Sequence, residues 1–129
     1  MSDATLTVVV ADDDADIRAL VAIAVSKAGL EIVAAVSDGQ LAIDAVRYYR
    51  PDIAILDVTM PQLTGLEVTA AIRADPEVAG TRVLLLSAGV GEVASAAGLG
   101  AGADDFLTKP FSPKELTAHL HALAVGGAE

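Results

Sequence analysis

Residues Leu6–Ala11 read LTVVVA and run directly into Asp12-Asp13-Asp14. A short run of apolar and β-branched residues without alternation describes a strand buried on both faces, as in a parallel sheet. The acids mark where it leaves the core. Downstream, Ala15 to Ala28 places Ile17, Leu20, Val21, Ala24, Val25 and Ala28 on one helical face, and Gly29 follows as a stop.

The same strand-then-helix pattern recurs. Glu31 to Val36 reads as a second strand. Ser37-Asp38-Gly39-Gln40 matches an S-x-x-Q capping box and predicts a helix to about Tyr49, with Tyr48 and Tyr49 packed against its base. Ile53-Ala54-Ile55-Leu56-Asp57 is a third strand ending on an acid. Val58 to Thr64 holds Pro61 and reads as a loop. Gly65 to Ala74 is a helix stopped before Asp75-Pro76. Arg82 to Leu86 is a fourth strand ending at Ser87. Gly91 to Ala103 reads as a weak helix, because Gly98, Gly100 and Gly102 each cost about 1 kcal/mol relative to Ala. Asp105 to Thr108 is a short fifth strand. Ser112-Pro113-Lys114-Glu115 opens a last helix that buries Leu116, Leu120, Leu123 and Ala124. Val125 to Glu129 reads as a frayed tail or the start of a linker.

Five such repeats predict an α/β fold, a doubly wound five-stranded parallel sheet with helices on both faces. The whole chain, 1–129, is expected to be one domain with its core over about 6–124. With 53% hydrophobic and 20% charged residues, the chain reads as a compact fold and not as a disordered segment. No apolar run approaches the roughly 20 residues of a membrane span. The N-terminus has no basic and apolar leader, so a cytoplasmic protein is expected. The net charge of −10 disfavours nucleic acid and anionic membranes as direct partners. There is no Cys, hence no thiolate chemistry. The two histidines, His119 and His121, fall on different helix faces and are not expected to share a metal.

In a parallel sheet all strand C-termini lie on one edge, where ligands bind at the switch point. That edge collects Asp12, Asp13, Asp57, Ser87 and Lys109. Neighbouring carboxylates repel unless compensated, and a hard divalent cation such as Mg²⁺ is the natural compensator. An ammonium and a hydroxyl suit a phosphoryl group. The set therefore points to phosphoryl transfer, with Asp57 the best candidate for an aspartyl-phosphate.

VVVADDD (Val8–Asp14), PDIAILDVTMPQLTG (Pro51–Gly65), LLLSAG (Leu84–Gly89) and GADDFLTKPFSPKEL (Gly102–Leu116) occur in an order that resembles the receiver domain of two-component response regulators. The resemblance runs from about Leu6 to Ala124. It implies a flavodoxin-like strand order 2-1-3-4-5. It implies that Asp57 accepts a phosphoryl group from a sensor histidine kinase or phosphotransfer protein. Asp13, Asp57 and the Thr59 backbone carbonyl would bind Mg²⁺, or Mn²⁺ in its place, with Asp12 acting through water. Lys109 would contact the phosphoryl, Ser87 would move to bond it, and Phe106 would swing inward. The Lys109–Pro110 peptide is expected to be cis. The segment 91–103, the fifth strand and the last helix would form the moving face, signalling to an output domain or target that the sequence does not identify. The chain would act as a monomer or a phosphorylation-dependent dimer, and not as an enzyme beyond its own phosphorylation and slow dephosphorylation. Thr59 and Gly89 offer no acid or amide to orient an attacking water, so a long-lived phosphoaspartate is expected.

Two other readings compete. A receiver-like interaction module independent of phosphate would retain the same residues. A hydrolase of the haloacid-dehalogenase type is echoed by Asp57-Val58-Thr59, but that motif normally opens its chain and here lies mid-chain without a cap domain.

Overall fold

The computed structural model describes residues 5–89 and 102–127. The strands are β1 (Thr7–Ala11), β2 (Glu31–Val36), β3 (Ile53–Asp57), β4 (Arg82–Ser87) and β5 (Asp105–Thr108). The helices among the described residues are α1 (Ala15–Lys27), α2 (Gly39–Tyr49), α3 (Gly65–Ala74) and α4 (Pro113–Gly127). The sheet is five-stranded and parallel, in the order β2-β1-β3-β4-β5. The helix expected over 91–103 falls almost wholly outside the described residues.

Alternate residues of each central strand feed opposite layers, as a two-residue period requires. Val8, Val10, Ile53, Ile55, Leu84 and Leu86 pack with Val21, Val25, Leu116 and Leu120 beneath α1 and α4. Val9, Ala11, Ala54, Leu56, Val83 and Leu85 pack with Ile43, Val46, Val68 and Ile72 beneath α2 and α3. All five residues of β3 are buried, which explains its unbroken apolar reading.

The helix starts follow side-chain chemistry. Asp14 caps α1, accepting from the amides of Asp16 and Ile17. Thr64 and Glu67 form a reciprocal capping box at α3, and Ser112 and Glu115 form another at α4. At α2 the expectation from Ser37 is corrected. Asp38 is the cap, accepting from the Leu41 amide at 2.8 Å, because its carboxylate sits one residue nearer the helix. At the C-terminus α4 continues through Val125 to Gly127, and residues 128–129 lie outside the described residues. Tyr48 and Tyr49 do not pack under α2. They are 79% and 46% exposed and meet each other edge-to-face at 4.8 Å. Ala42, Ile43, Ala45 and Val46 already fill the buried stripe, which leaves both rings outside.

Candidate functional site

The chain leaves β1 toward β2 on one side and returns to β3 on the other. The crevice at the carboxyl ends of β1 and β3 is therefore the switch point. The first residue past each of three strands is still tied to its neighbour. Asp12 N–H donates to Val36 O at 3.1 Å, Val58 N–H to Leu86 O at 2.9 Å, and Lys109 N–H to Ser87 O at 2.7 Å. These bonds extend the sheet to the rim and give the functional side chains a rigid base.

Asp12, Asp13 and Asp57 each present a carboxylate oxygen within 4.8 Å of the others. Asp12 is fully buried, Asp57 is 5% exposed and Asp13 faces solvent. Lys109 Nζ lies 3.0 Å from Asp12 Oδ2 and 3.4 Å from Asp57 Oδ1. Asp12 Oδ1 accepts the Asp14 amide at 2.9 Å, while Oδ2 faces the ammonium without a well-formed hydrogen bond. The Thr59 amide approaches Asp57 Oδ1 at 3.4 Å.

This packing shifts both titrating partners. Burial, then the charge of Asp12, pushes the Asp57 carboxyl up from 3.8 to about 6, against the opposing pull of Lys109 and the Thr59 amide. Burial works against the Lys109 ammonium, but the Asp12 carboxylate 3.0 Å away and the charge of Asp57 outweigh it and hold the amine above its ordinary value. One lysine thus opposes three carboxylates. An oxygen-only donor set with excess negative charge and a poorly satisfied buried oxygen fits Mg²⁺, which takes one or two carboxylates and keeps waters.

Ser87 is fully buried at the end of β4. Its hydroxyl donates to the Gly89 carbonyl oxygen at 2.7 Å, so it is engaged with its own loop. Phe106 is half-buried and packs against the α2–α3 layer. Thr59 is exposed and Gly89 half-buried. The Lys109–Pro110 peptide is cis. Asp12, Asp13 and Asp57 thus cluster, with Lys109 against Asp12 and Asp57, whereas Ser87 and Phe106 stand on the β4–β5 side.

Three contributors were not read from the sequence. Arg18 donates to the Asp12 carbonyl oxygen at 2.6 Å. Arg73 bonds the carbonyls of Gly102, Ala79 and Thr81 and the Asp104 carboxylate, fixing the entry to β5. Gly39 lies against the loop after β3. The first two are long-reach contacts without a sequence period, and the third is a tertiary close approach.

No helix among the described residues is long and apolar enough to cross a membrane. Residues 8–121 match the family model described as "Response regulator receiver domain". The chain is 38% identical over 115 residues to the DNA-binding response regulator MtrA of Mycobacterium tuberculosis, covering 89% of this chain and 49% of that protein. It is 42% identical over 118 residues to the probable transcriptional regulatory protein TcrX of the same organism, covering 92% and 49%. The chain therefore spans about half the length of these curated relatives. Among solved structures, the chemotaxis response regulator CheY4 of Vibrio cholerae superposes with a TM-score of 0.85 at 32% identity, over 93% of this chain and 99% of that one. The receiver domain of the putative response regulator NarL from M. tuberculosis gives 0.86 at 35% identity, over 95% and 98%.

Proposed function

The chain belongs to the response regulator receiver family, and from that premise we propose that it accepts a phosphoryl group on Asp57 from the phosphohistidine of a sensor kinase or phosphotransfer protein. One observation carries the reading: three carboxylates converge within 4.8 Å at the switch point, with the Lys109 ammonium against two of them.

The chain's own groups account for the steps. Above pH 6 Asp57 is mainly the carboxylate that must act as nucleophile. Its oxygen attacks phosphorus, the new P–O bond forms, and the P–N bond breaks as the partner's imidazole leaves. Lys109 is held by Asp12 where it can donate to a phosphoryl oxygen. Asp13, Asp57 and the Thr59 carbonyl would hold Mg²⁺, with Asp12 behind them. When bound, the ion neutralises the negative charge that develops on the phosphoryl oxygens. The Ser87 hydroxyl then exchanges the Gly89 carbonyl for a phosphoryl oxygen, and Phe106 moves toward the space it leaves. That exchange biases a two-state face that includes β5 and α4. Residues 1–129 act as one receiver domain in the cytoplasm and pass the signal to an output domain or partner protein.

Intact mass after incubation with Mg²⁺ and a small acyl phosphate tests the reading. The wild type is expected to gain one phosphoryl group, labile in base or hydroxylamine, and Asp57→Asn none. No gain despite bound Mg²⁺ would overturn acceptance from small donors and favour a phosphate-independent module. Multiple turnover of a phosphate ester would favour a hydrolase.

The lifetime of the adduct gives a second test. Thr59 and Gly89 carry no acid or amide side chain to aim water at phosphorus. The phosphoaspartate is therefore expected to be long-lived, and Thr59→Asn or Gly89→Glu to shorten it several-fold. Unchanged dephosphorylation in both variants would remove these positions from control of the lifetime.

A further inference from the structure

Arg18 has no part in the chemistry described above, yet it touches the site. It lies one turn into α1, half-buried, and its guanidinium reaches back past the helix start. There Nη1 donates to the Asp12 carbonyl oxygen at 2.6 Å. Asp13, Asp14 and Asp16 flank it in sequence, but among the described residues Arg18 forms no ion pair with them. A cation near a helix N-terminus also meets the positive end of the helix dipole. Both effects would draw the side chain elsewhere, so the carbonyl contact defines its position.

The carbonyl it grips belongs to the peptide joining Asp12 to Asp13. Asp12 is otherwise fixed, by its amide on Val36 O at 3.1 Å and by Oδ1 on the Asp14 amide at 2.9 Å. The Asp13 side chain is exposed. The orientation of the 12–13 peptide plane therefore determines where Asp13 projects from a rigid neighbour.

We propose that Arg18 is a positioning residue for the divalent cation: by clamping the 12–13 peptide it sets the Asp13 carboxylate toward Asp57. The inference rests on the phosphoacceptor reading and deepens it. It also separates from a plain charge effect by sign. A bystander cation repels Mg²⁺, so its removal would tighten binding. Removal of a clamp weakens binding.

The test is calorimetric titration of Mg²⁺ into unphosphorylated wild type, Arg18→Met and Arg18→Lys. Arg18→Met is expected to bind about tenfold more weakly, the usual scale for groups that orient metal ligands, and Arg18→Lys to recover part of the loss. In acyl-phosphate labelling, the Mg²⁺ concentration for half-maximal rate should rise by the same factor, with the rate at saturating Mg²⁺ unchanged. In metal-free protein, amide exchange at Asp14 should accelerate in Arg18→Met. Arg18→Gln, whose amide is too short to reach the carbonyl, replaces Arg18→Met should that variant fail to fold. Equal or tighter Mg²⁺ binding without the guanidinium overturns the proposal while leaving the phosphoacceptor reading intact. Failure of the wild type to bind Mg²⁺ overturns both.

Discussion

Gly39→Ala is expected to destabilise the protein by about 3 kcal/mol, lowering its melting temperature by roughly 10 °C. A Cβ at Gly39 would lie 1.9 Å from the Leu63 carbonyl oxygen and 2.6 Å from the Leu63 carbonyl carbon. Both are backbone atoms, so no rotamer change relieves the clash. The Gly39 amide also donates to Pro61 O at 3.1 Å, which draws the start of α2 onto this loop. The loop has little room to retreat. Its far end is tied by the Gly65 amide to Val58 O at 2.9 Å, and a Cβ at Gly65 would meet the Asp57 carbonyl oxygen at 2.3 Å. Relief must come from separating α2 from residues 58–64, and those residues follow Asp57 directly. Gly39→Ala should therefore weaken Mg²⁺ binding as well as folding. Gly80→Ala is the control: nothing lies within 4 Å of the added carbon, and a change within about 0.5 kcal/mol is expected. Urea unfolding of the three proteins decides the matter. A loss below about 1 kcal/mol at Gly39 would mean that the loop yields freely and does not brace the site.

The contrast between Gly39 and Asp57 shows what the sequence makes legible. Strand ends are written in hydrophobicity, so Asp57 could be placed on the sheet edge from IAILD alone. Parallel pairing then brought it to Asp12, Asp13 and Lys109 without any contact being known. Caps are nearly as legible, because an oxygen must sit at a fixed offset from a helical amide. Ser112 and Glu115 follow that rule, whereas at α2 adjacent Ser37 and Asp38 competed and the carboxylate prevailed. Tyr48 and Tyr49 misled because aromatic rings suggest burial, while alanines and aliphatic side chains had already filled that face of α2. Gly39 acts through backbone atoms far away in sequence, and Arg18 through a carbonyl across the turn that precedes α1. No period or spacing encodes such contacts, and they emerge only when the chain is folded.

Asp57→Asn is expected to make the metal-free protein more stable at neutral pH, although it removes the phosphoacceptor. In the folded state Asp57 titrates at about 6, mainly through burial and the Asp12 charge, against 3.8 for a free carboxyl. Between those values the folded state holds a proton that the unfolded chain has released. Stability therefore falls as pH rises through this window and stays low above it. Asparagine has nearly the same shape and carries no charge, so it escapes the penalty. The two proteins should be about equally stable near pH 4 in chelator, and the variant should lead by about 2 kcal/mol above pH 6, once solvent screening at the rim is allowed for. Mg²⁺ should narrow this lead and, well above its dissociation constant, reverse it. An ion that binds only the folded wild type adds about 1.4 kcal/mol at ten times its dissociation constant, and more at higher concentration. The variant, short of one anionic ligand, should gain less. Thermal unfolding of both proteins across pH, with chelator and with Mg²⁺, measures the effect directly. A variant no more stable than wild type at pH 7 in chelator would show that Lys109 already neutralises Asp57, and that charge repulsion in this cluster does not prepare it for a cation.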